Sequence, residues 1–389
     1  MAVERNLHAK ENHRSLLRTD ESVDYPFLIL ILLLLAVGLT MLYSASFAQS
    51  QYDTGYTVST KYLQKQSVCA VIGLAAMYCC SRIPAVFWYR LAWPLYCVSI
   101  VLLLSVLVIG QEVNGAKRWI QIAGIQFQPS EVAKFTQILL FARLTRRYGP
   151  NAKQFRYGVL GFGMALLGIL IPLALEKHLS AIMLMGMVAV VMMFVAGTSP
   201  KWLLAGAAAA GVFVIIYISF MGYAGDRVTA WLHPEKDPAD TGYQILQSLY
   251  AIGSGGLFGL GFGKSRQKYL YLPFQYNDYI FAVCCEELGL VGSIAIAAVF
   301  ALAIIRGYWI ALQARSRFST VLCTGLITLI AVQTILNLCV VTNLLPSTGI
   351  ALPFFSYGGT ALAVNLGEMG VVLNISRERN QRKEQEEIL

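Results

Sequence analysis

The stretch Pro26-Phe-Leu-Ile-Leu-Ile-Leu-Leu-Leu-Leu-Ala-Val-Gly-Leu-Thr-Met-Leu-Tyr-Ser-Ala-Ser-Phe47 decides the fold class, because its 22 residues carry no charge. At 1.5 Å per residue a helix of that length spans about 33 Å, enough to cross a hydrocarbon core of roughly 30 Å. Further apolar runs lie near 62–80, 85–110, 130–147, 157–175, 179–197, 201–222, 279–305, 318–341 and 358–375. The expectation is an all-α, polytopic membrane protein with about ten transmembrane helices. The run at 130–147 is the weakest, since Glu131 and Lys134 interrupt it. Composition agrees: 57% of the 389 residues are hydrophobic and 13% charged, against about 25% charged in soluble domains. Mean hydropathy is +0.61. A soluble enzyme, a coiled coil and a disordered chain all fit poorly.

Thirty Lys and Arg against 21 Asp and Glu give a net charge of +9. No basic–aromatic run of the kind that binds nucleic acid is present, so the excess reads as topology. Nineteen cations fall in the two tails and at 82–90, 143–156, 201 and 306–317; ten fall in the alternate connections, five of them in the loop 223–277. Both termini are therefore expected to be cytoplasmic. Residues 1–25 form a polar tail without the features of a secretory signal. Residues 26–376 form the transmembrane domain, with 223–277 extracellular, and 377–389 form a second cytoplasmic tail. Eight Cys lie in apolar stretches without His at ligand spacing, which points to buried small hydrophobes and to no metal site.

Within the long loop, Tyr243, Leu246, Leu249 and Tyr250 recur at helical spacing, which predicts a short amphipathic helix on the outer membrane surface. Gly253–Gly263 then carries six Gly in eleven residues. Gly263-Lys264-Ser265 ends like a P-loop, but Phe258 stands where that motif needs Gly, so ATP is rejected. A looser reading has this backbone, with Lys264, Arg266 and Lys268, receiving a phosphate; the plainer one is flexible turns with basic headgroup anchors. Glu131 and Lys134, at i and i+3, are either a self-neutralising pair or part of a cavity for a charged substrate. Lys117 and Arg118 lie just upstream. Asp278 is either a helix N-cap or a general base. At 100° per residue Glu286 lies about 80° round from it and Glu287 about 180°, so at most one shares its cavity. Both need partners that the sequence does not identify. Pro346–Gly359 carries no Lys, Arg, Asp or Glu, and reads as a tight link or as a re-entrant loop buried in protein.

Five segments carry a resemblance: Asn114-Gly-Ala-Lys-Arg-Trp-Ile120; Gln128-Pro-Ser-Glu-Val-Ala-Lys134; Gly242-Tyr-Gln through Gln247-Ser to Ala251-Ile-Gly-Ser-Gly-Gly-Leu257; Asp278-Tyr-Ile-Phe-Ala-Val283 with Glu286-Glu-Leu-Gly289; and Leu345-Pro-Ser-Thr-Gly349 with Leu352-Pro-Phe-Phe-Ser-Tyr-Gly-Gly359. Together they resemble the SEDS family (shape, elongation, division and sporulation) of RodA/FtsW/SpoVE type. The resemblance implies a SEDS-type fold and a peptidoglycan glycosyltransferase. Its substrate would be lipid II, joined into β-1,4-linked strands at the outer face of the bacterial cytoplasmic membrane, for elongation, division or sporulation. Asp278 would be the catalytic base. Lys117, Arg118, Trp119, Glu131, Lys134, Gln247, Ser248 and Ser356 would bind substrate, with Lys117, Arg118 or a divalent cation (Mg or Mn) at the diphosphate. The sequence offers no ligand set for such a metal. The implied partners are a class B penicillin-binding protein, lipid II and membrane lipids, with no nucleic acid. Two departures stand out: Glu176-Lys177-His178 replaces a Pro-Asp pair, and Phe274-Gln-Tyr-Asn277 replaces Glu-x-His-Thr. The rival readings are a transporter that flips lipid II and a non-catalytic scaffold for cell-wall enzymes.

Overall fold

A computed structural model describes residues 23–113, 116–122, 125–206, 208, 211, 230–236 and 241–387. Its helices are α1 (Tyr25–Asp53), α2 (Lys61–Arg82), α3 (Ala85–Ile109), α4 (Pro129–Tyr148), α5 (Phe162–Leu175), α6 (Leu179–Val195), α7 (Thr241–Gly255), α8 (Ile280–Leu312), α9 (Arg317–Val341) and α10 (Gly359–Glu387). All but α7 coincide with expected spans. The expected span at 201–222 lies almost wholly outside the described residues. Six helical segments among the described residues are long and apolar enough to cross a membrane. Of the rest, α6 has 17 residues, α4 carries Glu131 and Lys134, and α10 runs on into a charged tail.

Local chemistry explains several boundaries. Asp24 caps α1 by accepting from Phe27 N at 3.1 Å, and Pro26 falls in the first turn, where its missing N–H costs nothing. The same carboxylate takes both arms of Arg306 at 2.9 and 2.8 Å, while Asp24 N donates to Ser376 Oγ. This knot ties α1, α8 and α10 together at one end of the bundle. It also places Arg306 at the same end of the bundle as the start of α1, as the charge count expects. In the middle sits α9, started by Ser316 and buried nearly all round, as a helix enclosed by neighbours must be. It packs against α8, α4, α6 and α10.

One departure from an all-helical chain is a three-stranded antiparallel meander, β1 (Gln111–Val113), β2 (Ala116–Ile122) and β3 (Ile125–Phe127). It pairs Glu112 with Lys117 and Ile120 with Phe127. Thr360 Oγ1 donates to Gln126 O at 2.8 Å, fastening β3 to the start of α10. Consecutive helices α2 and α3 share only the Ile83-Pro84 turn and diverge from there; α2 lies along α10 instead, and α3 along α4. A groove opens between the two pairs.

The expected amphipathic helix is α7, but its packed face is not the predicted stripe. Gly242, Ile245, Ser248, Ala251 and Gly255 are buried against α8, whereas Tyr250 is exposed and Tyr243, Leu246 and Leu249 are half-buried. Small residues win that face because the helices approach closely: a Cβ on Gly255 would meet Cys285 O at 2.1 Å.

Candidate active site

Asp278 stands in the turn before α8. It directly precedes Tyr279, which takes the cap position. Its main chain is clamped from two sides. Asn337 Nδ2, from α9, donates to Asp278 O at 2.7 Å and to Ile350 O at 2.8 Å. Ser356 Oγ donates to Asn277 O at 2.7 Å and accepts from Leu352 N at 2.8 Å, while Tyr357 N donates to Tyr276 O at 2.9 Å. Gln66 completes the frame through Ser356 O and Gly358 N. The polar link 346–359 is therefore a folded-in loop whose backbone is satisfied by neighbouring side chains, as irregular backbone within a bundle requires. A Cβ on Gly349, at φ +68, would lie 3.4 Å from Asp278 Oδ2, so the carboxylate lies beside the start of that loop. Ser180, at the head of α6, donates to Thr348 O and closes the same region.

The second group of residues is cationic and acidic together. Lys134 Nζ lies 2.7 Å from Glu131 Oε2, and both are buried. Arg118, on β2, donates to Lys177 O and interacts with Glu176 and His178. Burial pushes the Glu176 carboxyl up to about 8, with the Arg118 charge acting the other way. Burial pushes the His178 imidazole down to about 3, helped by the charges of Arg118 and Lys134. Residues 176–178, set apart in the sequence as a departure, thus form one cluster with Arg118 and Lys134. Glu368 of α10 joins them within electrostatic range of Lys134 and Glu131, and neither of its oxygens has a hydrogen-bond partner among the described residues. Nothing in the sequence singled out Glu368. A lone acid in an apolar run at 358–375 was the available signal.

Beside this cluster the groove between α2/α10 and α3/α4 forms a cavity of about 390 Å³, roofed by Phe127 of β3 and walled by Cys69, Ile72, Phe135, Ala363 and Val364. Glu368 and Trp88 line it as well. The walls are otherwise apolar and admit a hydrocarbon chain.

Other expected residues are placed differently. Ser248 is fully buried on α7 and donates to Val341 O at 2.8 Å, and Ser356 holds the Asp278 turn. Both hydroxyls donate to backbone carbonyls and so hold neighbouring segments in place. Gln247, Lys117 and Trp119 are half-buried.

In the Gly-rich loop the backbone donors and Lys268 are already engaged by the chain's own acids, which favours the structural reading of this segment. Gly263 N and Ser265 N donate to Glu287 at 3.0 and 3.2 Å; Arg266 N and Gln267 N donate to Glu286 at 2.9 and 3.3 Å, and Ser265 Oγ donates to Glu286 as well. Lys268 is buried, 3.0 Å from Glu287, and Ser44 of α1 donates to the same carboxylate. These are the partners the two acids lacked, and neither acid joins Asp278. Gly289 breaks α8 here at φ +67, and Gly259 lies so close that a Cβ would meet Glu287 O at 2.1 Å. Among the described residues no cluster of three or more His, Cys, Asp or Glu could hold a metal ion.

The helical bundle, the folded-in polar link and the acid beside it define a multi-pass membrane protein of SEDS fold. The profile of the FtsW/RodA/SpoVE family, described as cell cycle proteins, matches residues 25–381, and the chain belongs to this family. It is 38% identical over 361 residues to the probable peptidoglycan glycosyltransferase FtsW of Geobacter sulfurreducens, covering 92% of this chain and 95% of that one. It is also 38% identical over 360 residues to stage V sporulation protein E of Bacillus subtilis, covering 92% and 97%. Among solved structures, a chain from work on polymerization and crosslinking by a peptidoglycan synthase complex superposes with a TM-score of 0.78 at 29% identity, covering 92% and 99%. The rod shape determining protein RodA of Thermus thermophilus gives 0.69 at 26% identity, covering 92% and 98%.

Proposed function

We propose that the chain is a peptidoglycan glycosyltransferase that polymerises lipid II at the outer face of the cytoplasmic membrane. The observation that carries this reading is the Asp278 turn, clamped by Asn337 and Ser356. A base must be held still to work, since a misplaced proton acceptor loses most of its effect.

The acceptor's 4-hydroxyl gives its proton to the Asp278 carboxylate as its oxygen bonds to the anomeric carbon of the donor strand. The bond from that carbon to the diphosphate oxygen breaks, and the electron pair leaves with undecaprenyl diphosphate. Attack from the opposite face inverts the carbon and gives the β-1,4 link. Arg118 and Lys134 stabilise the charge that develops on the leaving diphosphate. The polyprenyl chain lies in the apolar groove beside them. Relatives named as peptidoglycan glycosyltransferases support the substrate class, and the synthase-complex structure supports a penicillin-binding partner for crosslinking. The charge count supports cytoplasmic termini, which puts Asp278 outside.

Asp278→Asn removes the proton acceptor and keeps the shape. The expected result is a folded protein that forms no glycan polymer from lipid II, with or without the penicillin-binding partner. Full polymerisation by that variant would overturn the reading. The groove also favours a second reading, lipid translocation, since it runs from Phe127 and Gly359 down to Trp88 and Val371. Transbilayer movement of lipid II in liposomes, without polymer formation, would select it.

A further inference from the structure

Three tyrosines from distant parts of the chain meet beside Asp278, and the reaction above uses none of them. Tyr62 opens α2, Tyr276 lies two residues before Asp278, and Tyr357 lies in the polar link. The Tyr62 and Tyr276 rings are 4.5 Å apart, Tyr62 and Tyr357 4.9 Å, and Tyr276 and Tyr357 5.9 Å. All three are half-buried, at the end of the bundle opposite the Asp24–Arg306 knot. The Tyr62 hydroxyl donates to Asp53, which also accepts from Gln49 Nε2 at 2.9 Å and pairs with Lys61 at 3.7 Å. Tyr276 is tied to Tyr357 by backbone. The rings are thus fixed, and an acid, an amide and an ammonium edge them.

We propose that this cluster is a saccharide platform that seats a pyranose ring of the acceptor next to Asp278. The proposal rests on the glycosyl-transfer reading for its substrate. A pyranose has apolar C–H faces and hydroxyl edges. Tyrosine offers a broad apolar face that is rigid about two torsions, so little freedom is lost on contact. Asp53, Gln49 and Lys61 supply acceptors and donors for the hydroxyls at the rim. Packing alone would not need a charged, solvent-facing rim at the edge of the stack. Its position is the stronger point: backbone bonds join Tyr276 and Tyr357 to each other, and Ser356 joins the next residue, Asn277. A sugar on the platform is therefore held by the same frame that holds the base.

The test uses the full-length chain in nanodiscs with the N-acetylglucosaminyl-N-acetylmuramyl disaccharide as probe. Saturation-transfer NMR should show transfer to the ring C–H protons in the native chain and in Tyr276→Phe. It should be lost in Tyr276→Ala, Tyr62→Ala and Tyr276→Leu, the last of which keeps apolar bulk in the frame. In polymerisation assays the same three variants should raise KM for lipid II about tenfold, equivalent to about 1.4 kcal/mol, and leave kcat within about twofold. Undiminished transfer in Tyr276→Leu, or no transfer in the native chain, overturns the platform. The two proposals separate cleanly. A native chain that binds the disaccharide and makes no polymer refutes the enzyme reading alone, and one that polymerises while Tyr276→Leu matches it in KM refutes the platform alone.

Discussion

Replacing Lys268 by Met is a direct test of how this chain keeps two acids inside a membrane bundle. The Lys268 and Glu287 side chains are 2% and 0% exposed, with Nζ 3.0 Å from Oε1. Removing one partner of a buried pair costs about 3–5 kcal/mol, because the remaining charge is left uncompensated. Ser44 Oγ, Gly263 N and Ser265 N stay on the carboxylate, so the lower end, about 3 kcal/mol, is expected. Lys268→Met with Glu287→Gln removes both charges and should recover much of that loss. Thermal and denaturant unfolding of the detergent-solubilised chain would measure all four corners of the cycle, and contacting residues should couple by at least about 0.5 kcal/mol. The loop also supports the short arm of α8 behind Asp278, so the single variant should lose polymerase activity and the double variant should regain part of it. An unchanged midpoint for Lys268→Met, or a double variant as unstable as the sum of the singles, would refute the account of the loop.

Asn337→Ala strips one donor from both Asp278 O and Ile350 O; with about 1–3 kcal/mol at stake for each unsatisfied group, kcat for polymerisation should fall sharply while lipid II binding, measured separately, holds. Glu368→Leu removes a buried carboxyl without a hydrogen-bond partner among the described residues, so the melting midpoint should rise, and a lower midpoint would show that the carboxyl is needed where it stands. Stability should also respond to pH in two opposing ways. The Glu176 carboxyl sits at about 8 against an ordinary 4.5; the folded chain holds the extra proton, so this contribution is full below pH 4.5 and is lost as pH rises through 8. His178 sits at about 3 against 6.5; the unfolded chain binds the extra proton, so its contribution is present above pH 6.5 and is lost as pH falls toward 3. Glu176→Gln should flatten a melting-point titration between pH 6.5 and 8, where His178 no longer contributes a slope, and leave the slope below pH 4.5 alone.

Much of the fold was legible because a hydrocarbon solvent leaves few choices: long uncharged runs must be helices, and their cations must sit in the connections. The meander at 111–127 was missed although Asn114-Gly115 is a strong hairpin signal. Its strands are short, three to seven residues, and follow directly on the apolar run ending at Ile109, so hydropathy does not set them apart. On α7 the aromatic stripe was visible, but the face that packs is the one with the smallest side chains, which hydropathy does not register. The site divided in the same way. Asp278, Glu131, Lys134 and Arg118 stood out as charges out of place. Ser248 and Ser356 stood out only by resemblance, and their hydroxyls turned out to be bonded to backbone.

The Gly-rich loop shows why charge and spacing alone leave two roles open. Its backbone N–H groups and Lys268 make an anion-binding nest, as its composition suggested. The anions it binds are the chain's own Glu286 and Glu287. A local pattern states what chemistry a segment offers and leaves the recipient unstated; only packing supplies that. The two acidic centres separate in the same way. Glu286 and Glu287 are saturated with donors and act as structure. Asp278 has its main chain held by other residues and its carboxylate placed beside Gly349, where a side chain would crowd it. A base that must gain and lose a proton needs a backbone held in this way.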